Sequence, residues 1–417
     1  MNYNLAVKLR QQVSLLSISA IFFYSAVSIN CFGAYVGLLR LYDATILLAH
    51  FHKIANPLIC LLALLILLNM RKVKIDLLSS ILFFLAFQGV IFGIAYRGAP
   101  RYFISHAFSA FFAALMYTAA RNIPWEKQRI ASMIRCAAFL FLSTFLLVTF
   151  VFWSLRILKD HPVYLGIGTG AVLLPFALAL IDGKYLNALL AIAVVFLSGK
   201  RGVLLSIPLI FGMTAVGIRR FELRIRLGIL TLVCPLLICL FFYATSIWEV
   251  SLQEVPIFGS VYSKIMLLNF FSDGYSLDRL NFASGGRVLE ISNSFREFQS
   301  NSIHYLTGGG FGWVYDSPFS HLDVSHYVHF SPLNYLYQYG ILSFTILFGI
   351  LIHYLITWGK RLSLYGREPF ALWLALLGWL VVGFTGYNYA IDPMLWVSLG
   401  VVSSFCSSLK TSTESSS

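Results

Sequence analysis

The sequence predicts an all-α polytopic membrane protein with about 12 transmembrane helices and one large loop between helices 9 and 10. The chain has 417 residues, of which 59% are hydrophobic and only 11% are charged, whereas soluble proteins average about 25% charged residues. Apolar runs near the length that crosses a bilayer as a helix recur from end to end. These runs lack the alternation of apolar and polar residues that a transmembrane β-barrel requires.

The apolar runs divide the chain into nine spans, a polar loop and three further spans. The predicted parts are 1–247 with helices 1 to 9, 248–332 as the loop, 333–409 with helices 10 to 12, and 410–417 as a disordered cytoplasmic tail. The spans are placed at 12–38, 44–70, 77–95, 102–120, 130–153, 163–181, 185–199, 203–218, 227–247, 333–357, 370–388 and 394–409.

The net charge of +13 is interpreted as a signal of topology and not of nucleic-acid binding, because lysine and arginine cluster between the spans. Alternate connections form two sets, and the set that includes 71–74, 121–129, 219–226 and 360–367 is much the richer in basic residues. The positive-inside rule therefore predicts that both termini are cytoplasmic and that 248–332 lies outside. All six cysteines lie in apolar runs, so no disulfide framework is predicted.

Basic residues also occupy very short external connections, which membrane proteins usually keep free of them. These residues are Arg97, Arg101, Lys200 and Arg201. Because a cation near the bilayer is costly, their presence favours a bound anion, and the alternative is that they snorkel to lipid phosphates.

The loop carries the most concentrated polar pattern. Apolar residues at helical spacing (Val288, Ile291, Phe295 and Phe298) predict a helix over 287–299. Arg287 falls in its first turn, where a cation is unfavourable unless an anion also binds. The turn TGGGFG, with Gly309 and Gly310, could form a nest of backbone N–H groups for a phosphate, or could be a purely structural turn. The spacing of His321, His326 and His329 fits no standard zinc site, so no metal or other cofactor is predicted.

Five short motifs together resemble the O-antigen polymerase and ligase group of inner-membrane proteins, and most closely the Wzy-type polymerases. They are SGKRG (Ser198–Gly202), SGGR (Ser284–Arg287), TGGGFG (Thr307–Gly312), HFSPLNYLYQYG (His329–Gly340) and YRGAPRYFISH (Tyr96–His106). The residues FSPL separate His329 from Asn334, whereas in many members the histidine directly precedes the asparagine.

The resemblance implies a metal-independent glycosyltransferase of GT-C-like architecture in the bacterial inner membrane, with 248–332 as a periplasmic loop. Such an enzyme polymerises O-antigen or related repeat units carried on undecaprenyl pyrophosphate. An acceptor hydroxyl attacks the anomeric carbon and the lipid pyrophosphate leaves. This chemistry needs a base for the hydroxyl and cations for the leaving group.

The resemblance implies specific roles for residues of this chain. His329 is the expected base, with His326 next, and Arg201 and Arg287 are the expected cations that stabilise the pyrophosphate. The expected substrate-binding residues are Arg101, Lys200, Arg97, Gly309, Gly310 and Asn334. The expected partners are the lipid-linked oligosaccharide donor and acceptor, the bilayer and a chain-length regulator protein, without nucleic acid.

Three other functions remain open at this level. A ligase that moves finished glycan onto lipid A–core would use the same chemistry. A flippase or transporter for lipid-linked oligosaccharides would share the many spans and the basic residues, but not the large external loop. A receptor or scaffold would leave the external arginines unexplained.

Overall fold

The computed structural model describes residues 3–38, 45–159, 169–198, 201–217, 228–229, 231, 287–300, 302–317, 324–385 and 391–414. In this part the chain is almost entirely helical. The first eight helices are α1 (Tyr3–Leu38), α2 (Thr45–Asn69), α3 (Leu77–Ala95), α4 (Pro100–Asn122), α5 (Lys127–Lys159), α6 (Leu173–Asp182), α7 (Tyr185–Ser198) and α8 (Arg201–Gly217). They are followed by α9 (Arg287–Gln299), α10 (His304–Thr307), α11 (Ser331–Tyr365), α12 (Arg367–Val382) and α13 (Pro393–Glu414).

Five helical segments are long and apolar enough to cross a bilayer, as expected for an all-α membrane protein. They are Ser17–Val36, Leu77–Ala95, Pro100–Asn122, Lys127–Ser154 and Ser331–Tyr365. Shorter apolar helices accompany them. On α3, the side chains of Phe84, Phe87 and Ile91 are each more than half exposed. An apolar stripe of this size is unfavourable in water and favourable against lipid.

The described helices overlap most of the predicted apolar spans, but their ends differ, since α1 begins at Tyr3 and α11 runs to Tyr365. The sixth predicted span is described only from Thr169, where a 3-10 turn (Thr169–Val172) leads into the short helix α6. The ninth, 227–247, lies almost entirely outside the described residues. Helix α13 continues to Glu414, so it extends into the segment 410–417 that was predicted as a cytoplasmic tail.

Contacts between connections hold the bundle at one end. Asp76, which caps α3 through the N–H of Ser79, accepts hydrogen bonds from Arg121 Nε at 2.5 Å and Tyr117 Oη at 2.7 Å. Burial alone would raise the pKa of Asp76, but these hydrogen bonds outweigh it and hold the pKa below its ordinary value. At the same time Asn122 Oδ1 accepts the N–H of Lys74 at 2.6 Å, so the 70–76 and 121–126 connections lie together.

The loop forms a small second core on top of the helices. Phe298 of α9, Trp313, Tyr315, Val328 and Tyr337 of α11 pack together. A two-residue antiparallel pair, β1 (Tyr315–Asp316) with β2 (Val324–Ser325), closes it, and this pair was not predicted.

Helix α9 has the predicted bounds but not the predicted buried face. Glu290, Ser294 and Phe298 are buried, whereas Phe295 is 41% exposed. The reason is that the buried stripe carries polar groups with partners inside the loop, which an apolar pattern cannot reveal. The apolar run 257–271, whose length predicts an interfacial helix, lies outside the described residues.

Candidate active site

The glycine-rich turn Thr307–Gly312 is a wedge inserted against helices α3 and α4. Phe311 is fully buried, and its N–H donates to the carbonyl of Gly89 at 2.9 Å. Gly308, Gly310 and Gly312 have φ values of +74°, +70° and +85°. Residues with side chains rarely adopt this left-handed conformation, so the path of the wedge depends on glycine.

The prediction that Gly309 and Gly310 cradle a phosphate was therefore wrong. Their N–H groups donate to the carbonyls of Tyr337 and Gln338 on α11, at 2.8 and 3.1 Å. The N–H groups of the other residues from 308 to 312 also donate within the protein. No N–H group in this turn is left to bind an anion, and of the two readings that the sequence left open, the structural turn is correct.

A break in α11 at Gly340 forms part of the surface on which this wedge packs. Gly340 has φ +76° and ψ 172°, which frees the carbonyl of Tyr339 from the helix. The buried amide of Gln88 donates to this carbonyl at 2.9 Å and to the carbonyl of Thr307 at 3.1 Å. The first two turns of α11 are thus fixed against α3 and the wedge, and they form the floor of the site.

Asn334 holds the backbone that leads into α11. Its Oδ1 accepts the N–H of Val328 at 2.8 Å, and its Nδ2 donates to the carbonyl of Val328 at 2.6 Å. Both polar ends of the side chain are thereby used within the protein. Asn334, which was predicted to bind substrate, fixes the backbone directly before His329 and also lines a cavity between the helices.

His329 pairs with a carboxylate that is buried beneath it. His329 Nδ1 lies 2.8 Å from Glu290 Oε1, and the N–H of His329 donates to Glu290 Oε2 at 3.3 Å. Glu290 is fully buried, whereas the His329 side chain is 37% exposed. A carboxylate on Nδ1 orients an imidazole, which is the arrangement of a general base with its orienting acid.

Burial and its neighbours set the charge of Glu290. Burial raises the pKa of Glu290 to about 7, although the Tyr315 hydroxyl and the positive charge of Arg287 act in the opposite direction. Tyr315 Oη donates to Glu290 Oε1 at 3.1 Å and also lies 3.0 Å from the carbonyl of Tyr327. Glu290 therefore changes between its neutral and its charged form near neutral pH.

Arg287 brings positive charge to the same cluster. It begins α9 one turn before Glu290, and its charge acts on both Glu290 and Tyr327. The Tyr327 ring lies 5.6 Å from that of His329, and Tyr327 Oη is 3.1 Å from Ser331 Oγ. Burial raises the pKa of Tyr327 well above its ordinary value, so its hydroxyl is a hydrogen-bonding group and not a base at neutral pH.

A pair of histidines lies beside Tyr327. His106, buried within α4, places Nε2 at 3.0 Å from His326 Nδ1, and its Nδ1 accepts the N–H of Gly312 at 3.1 Å. The His326 ring stacks on Tyr102 with 4.3 Å between ring centres. The guanidinium carbon of Arg101 lies 5.7 Å from the centre of the Tyr102 ring.

Beneath these residues a cavity of about 60 Å³ extends between α3, α4 and α11. Its polar lining includes His106, His326, Tyr327 and Ser109, and its apolar lining includes Leu82 and Leu85. One water requires only about 15 Å³ by the same measure, so the cavity has room for a group of several heavy atoms. Its mixed lining suits a ligand that has both polar and apolar parts.

The structure thus brings together Arg287 and His329 in one cluster and Arg101 and His326 in another. Arg97 lies in the 96–99 connection with a left-handed φ of +53°. Arg201 begins α8. Lys200 lies outside the described residues.

Sequence reasoning missed Glu290 and His106. His106 stands within an apolar span, and a titratable residue at such a position is a functional candidate by default, so its signal was present in the sequence. Glu290 gave no comparable signal, because an acidic residue in the first turn of an amphipathic helix is ordinarily a solvated one.

In comparisons of the chain with models of protein families, with curated proteins and with solved structures, no match was found.

Proposed function

We propose that this chain is a membrane glycosyltransferase that polymerises glycan units carried on undecaprenyl pyrophosphate. The reaction takes place on the periplasmic face of the bacterial inner membrane, where the segment 248–332 and the start of α11 hold the reacting groups. In this proposal the remaining parts form a twelve-span, GT-C-like scaffold with both termini in the cytoplasm, and a chain-length regulator protein acts on the product.

The observation that carries the proposal is the pair of Glu290 and His329 with Arg287 one helical turn away. His329 Nε2 takes the proton from the acceptor hydroxyl while that oxygen attacks the anomeric carbon of the donor. The bond from the anomeric carbon to the pyrophosphate oxygen breaks, and the pyrophosphate keeps the electron pair. Arg287, with Arg201 as a second cation, stabilises the negative charge on this leaving group, and Glu290 stabilises the imidazolium that forms.

The test is polymer formation by the purified protein in nanodiscs, supplied with a lipid-pyrophosphate-linked repeat unit. His329→Ala is expected to slow polymerisation by about 10²- to 10⁴-fold, the usual contribution of a general base. Arg287→Ala is expected to slow polymerisation by a similar factor. The matched controls are His353→Ala, an exposed histidine on the far half of α11, and Arg296→Ala, an exposed arginine on α9, and both should keep wild-type rates.

Normal glycan ladders from His329→Ala or Arg287→Ala would overturn the catalytic assignment. A deletion strain separates the related functions on a lipopolysaccharide gel. Core capped by one repeat unit indicates a polymerase and bare core indicates a ligase. Lipid-linked units retained on the cytoplasmic side indicate a flippase.

A further inference from the structure

Two histidines three positions apart are held in opposite tautomers by their neighbours. His106 Nδ1 accepts the N–H of Gly312 at 3.1 Å. An atom that accepts a hydrogen bond carries a lone pair, so the proton of this ring is on Nε2. That Nε2–H lies 3.0 Å from His326 Nδ1 and donates to it. Consequently His326 Nδ1 is an acceptor, and the proton of the neutral His326 ring is on Nε2.

His329 has the reverse arrangement. Its Nδ1 lies 2.8 Å from Glu290 Oε1, and the ionised form of this carboxylate favours a proton on Nδ1 and a lone pair on Nε2. The two rings therefore offer complementary groups at Nε2, since His326 can donate a hydrogen bond there and His329 can accept one. The prediction of His326 as a reserve base does not agree with this geometry, because its only lone pair is used by His106.

We infer that His326 donates its Nε2–H to a phosphoryl oxygen of the substrate, with Arg101 supplying positive charge and His106 positioning the ring. This inference rests on the proposed function for the identity of the substrate, a lipid-linked pyrophosphate. It assigns the cavity between α3, α4 and α11 as a phosphoryl subsite, separate from the His329 base.

Three features of the surroundings support an anion at this place. His326 lines the cavity together with His106, Ser105 and Ser109, so several polar groups converge on one small volume. Burial and the positive charge of Arg101 both lower the pKa of His326, which keeps the ring neutral and its tautomer defined at physiological pH. The same charge that opposes an imidazolium attracts a phosphoryl oxygen.

The tautomer is measured directly by ¹⁵N NMR of protein labelled at histidine and held in nanodiscs. The His326 signals are identified by their loss in His326→Gln. In the wild-type protein they are expected to show protonated Nε2 and unprotonated Nδ1. In His106→Phe, which keeps a ring but removes the donor, the two tautomers of His326 should mix. A wild-type His326 protonated at Nδ1 would overturn the inference, even if the His106 variant fails to fold.

Binding is tested on the same samples with undecaprenyl pyrophosphate in the nanodisc and, separately, with inorganic pyrophosphate. A shift of the His326 Nε2 signal with the lipid alone supports a lipid-linked ligand, and a shift with both supports recognition of the phosphoryl group itself. Arg101→Gln should weaken binding by about 10- to 100-fold, as expected for a hydrogen bond or ion pair to a charged group. No shift with either compound contradicts the inference.

These measurements do not depend on polymer formation. An inactive protein with the donor tautomer and a pyrophosphate-dependent shift would refute only the proposed function. An active polymerase with the opposite tautomer would refute only the role of His326.

Discussion

His329 Nδ1 and Glu290 Oε1 lie 2.8 Å apart although the two residues are 39 positions apart in the chain. Glu290 enters from the first turn of α9, and His329 enters from the segment that precedes α11. The small aromatic core around Phe298 and Tyr337 joins these two elements. The distance between His329 and Glu290 therefore depends on packing in the loop, and a substitution in the aromatic core can change it without altering either residue.

Glu290 is expected to give protein stability a distinctive pH dependence. Burial raises the pKa of this carboxyl from 4.5 to about 7. Because the folded protein holds this proton more tightly than the unfolded chain, the contribution of Glu290 to stability is full below pH ~4 and is lost as the pH rises through about 7. Wild-type protein should therefore lose thermal stability relative to Glu290→Gln between pH 5 and pH 8.

The measurement is the Tm of both proteins in one detergent at a series of pH values. Glu297→Gln, an exposed substitution on the same helix, is the control, and its Tm should stay parallel to the wild type. A difference between Glu290→Gln and wild type that does not change with pH would show that Glu290 titrates at its ordinary value.

Asn334→Ala should lower kcat and leave KM nearly unchanged. The substitution removes both hydrogen bonds to the backbone of Val328, whose side chain is fully buried. Leaving a buried polar group unpaired costs about 1–3 kcal/mol, so some loss of stability accompanies a misplaced His329. Kinetics on a lipid-linked substrate measure the effect.

Asn334→Asp is the informative companion, because it keeps the size and the acceptor but places a second oxygen against the carbonyl of Val328. It should be at least as damaging as Asn334→Ala. If Asn334 instead binds substrate directly, Asn334→Ala will raise KM at unchanged kcat, and the positioning role is refuted.

Substitution of Asp76 or Arg121 should be among the changes that destabilise the helical bundle most. Both side chains are only 13% exposed, and removal of one partner of a buried ion pair typically costs about 3–5 kcal/mol. Asp76→Asn keeps the cap of α3 but leaves Arg121 without its counter-charge. Chemical unfolding in detergent should show this loss, whereas Glu126→Gln in the following connection should be neutral. A loss below about 1 kcal/mol would mean that solvent screens the pair.

The stability that Asp76 provides should also be lost in acid. Since its folded pKa lies below the ordinary value, the stability it provides is present above about pH 4 and is lost as the pH falls further through the folded pKa. The Tm of wild type should approach that of Asp76→Asn over this range, and parallel curves down to pH 3 would contradict the assignment.

The sequence predicted the helices well and their contacts poorly, for a physical reason. Long apolar runs have one stable solution in a bilayer, a helix that satisfies its own backbone, so α3 begins and ends where hydropathy places it. Pairing between distant side chains leaves no such local signature. His106 meets His326 only because the wedge at Phe311 docks on α3, and Glu290 meets His329 only through the loop core.

The glycine-rich turn illustrates the same limit. A run of glycines predicts a backbone that other groups can approach closely, but it does not say which acceptors its N–H groups meet. In the folded protein these acceptors are carbonyls of α3, α10 and α11 and a nitrogen of His106. The α10 carbonyl is available because this short helix ends there, and the α11 carbonyls are available because the helix breaks at Gly340. The phosphate nest and the structural wedge are therefore indistinguishable before the fold is known.

Gly310→Ala tests this wedge with a closely matched control. Gly310 has φ +70°, and a Cβ at this position would overlap the backbone nitrogen of Gly93 on α3. Gly183 has φ +71° at the end of α6, and a Cβ there meets nothing within 4 Å.

Left-handed strain alone costs about 1–2 kcal/mol, so Gly183→Ala should lose that amount of stability and remain active. Gly310→Ala bears the same strain and a backbone clash that no side-chain rotation relieves, so it should lose considerably more stability, and polymer formation with it. Equal losses of Tm in the two variants would mean that the turn is not seated against α3.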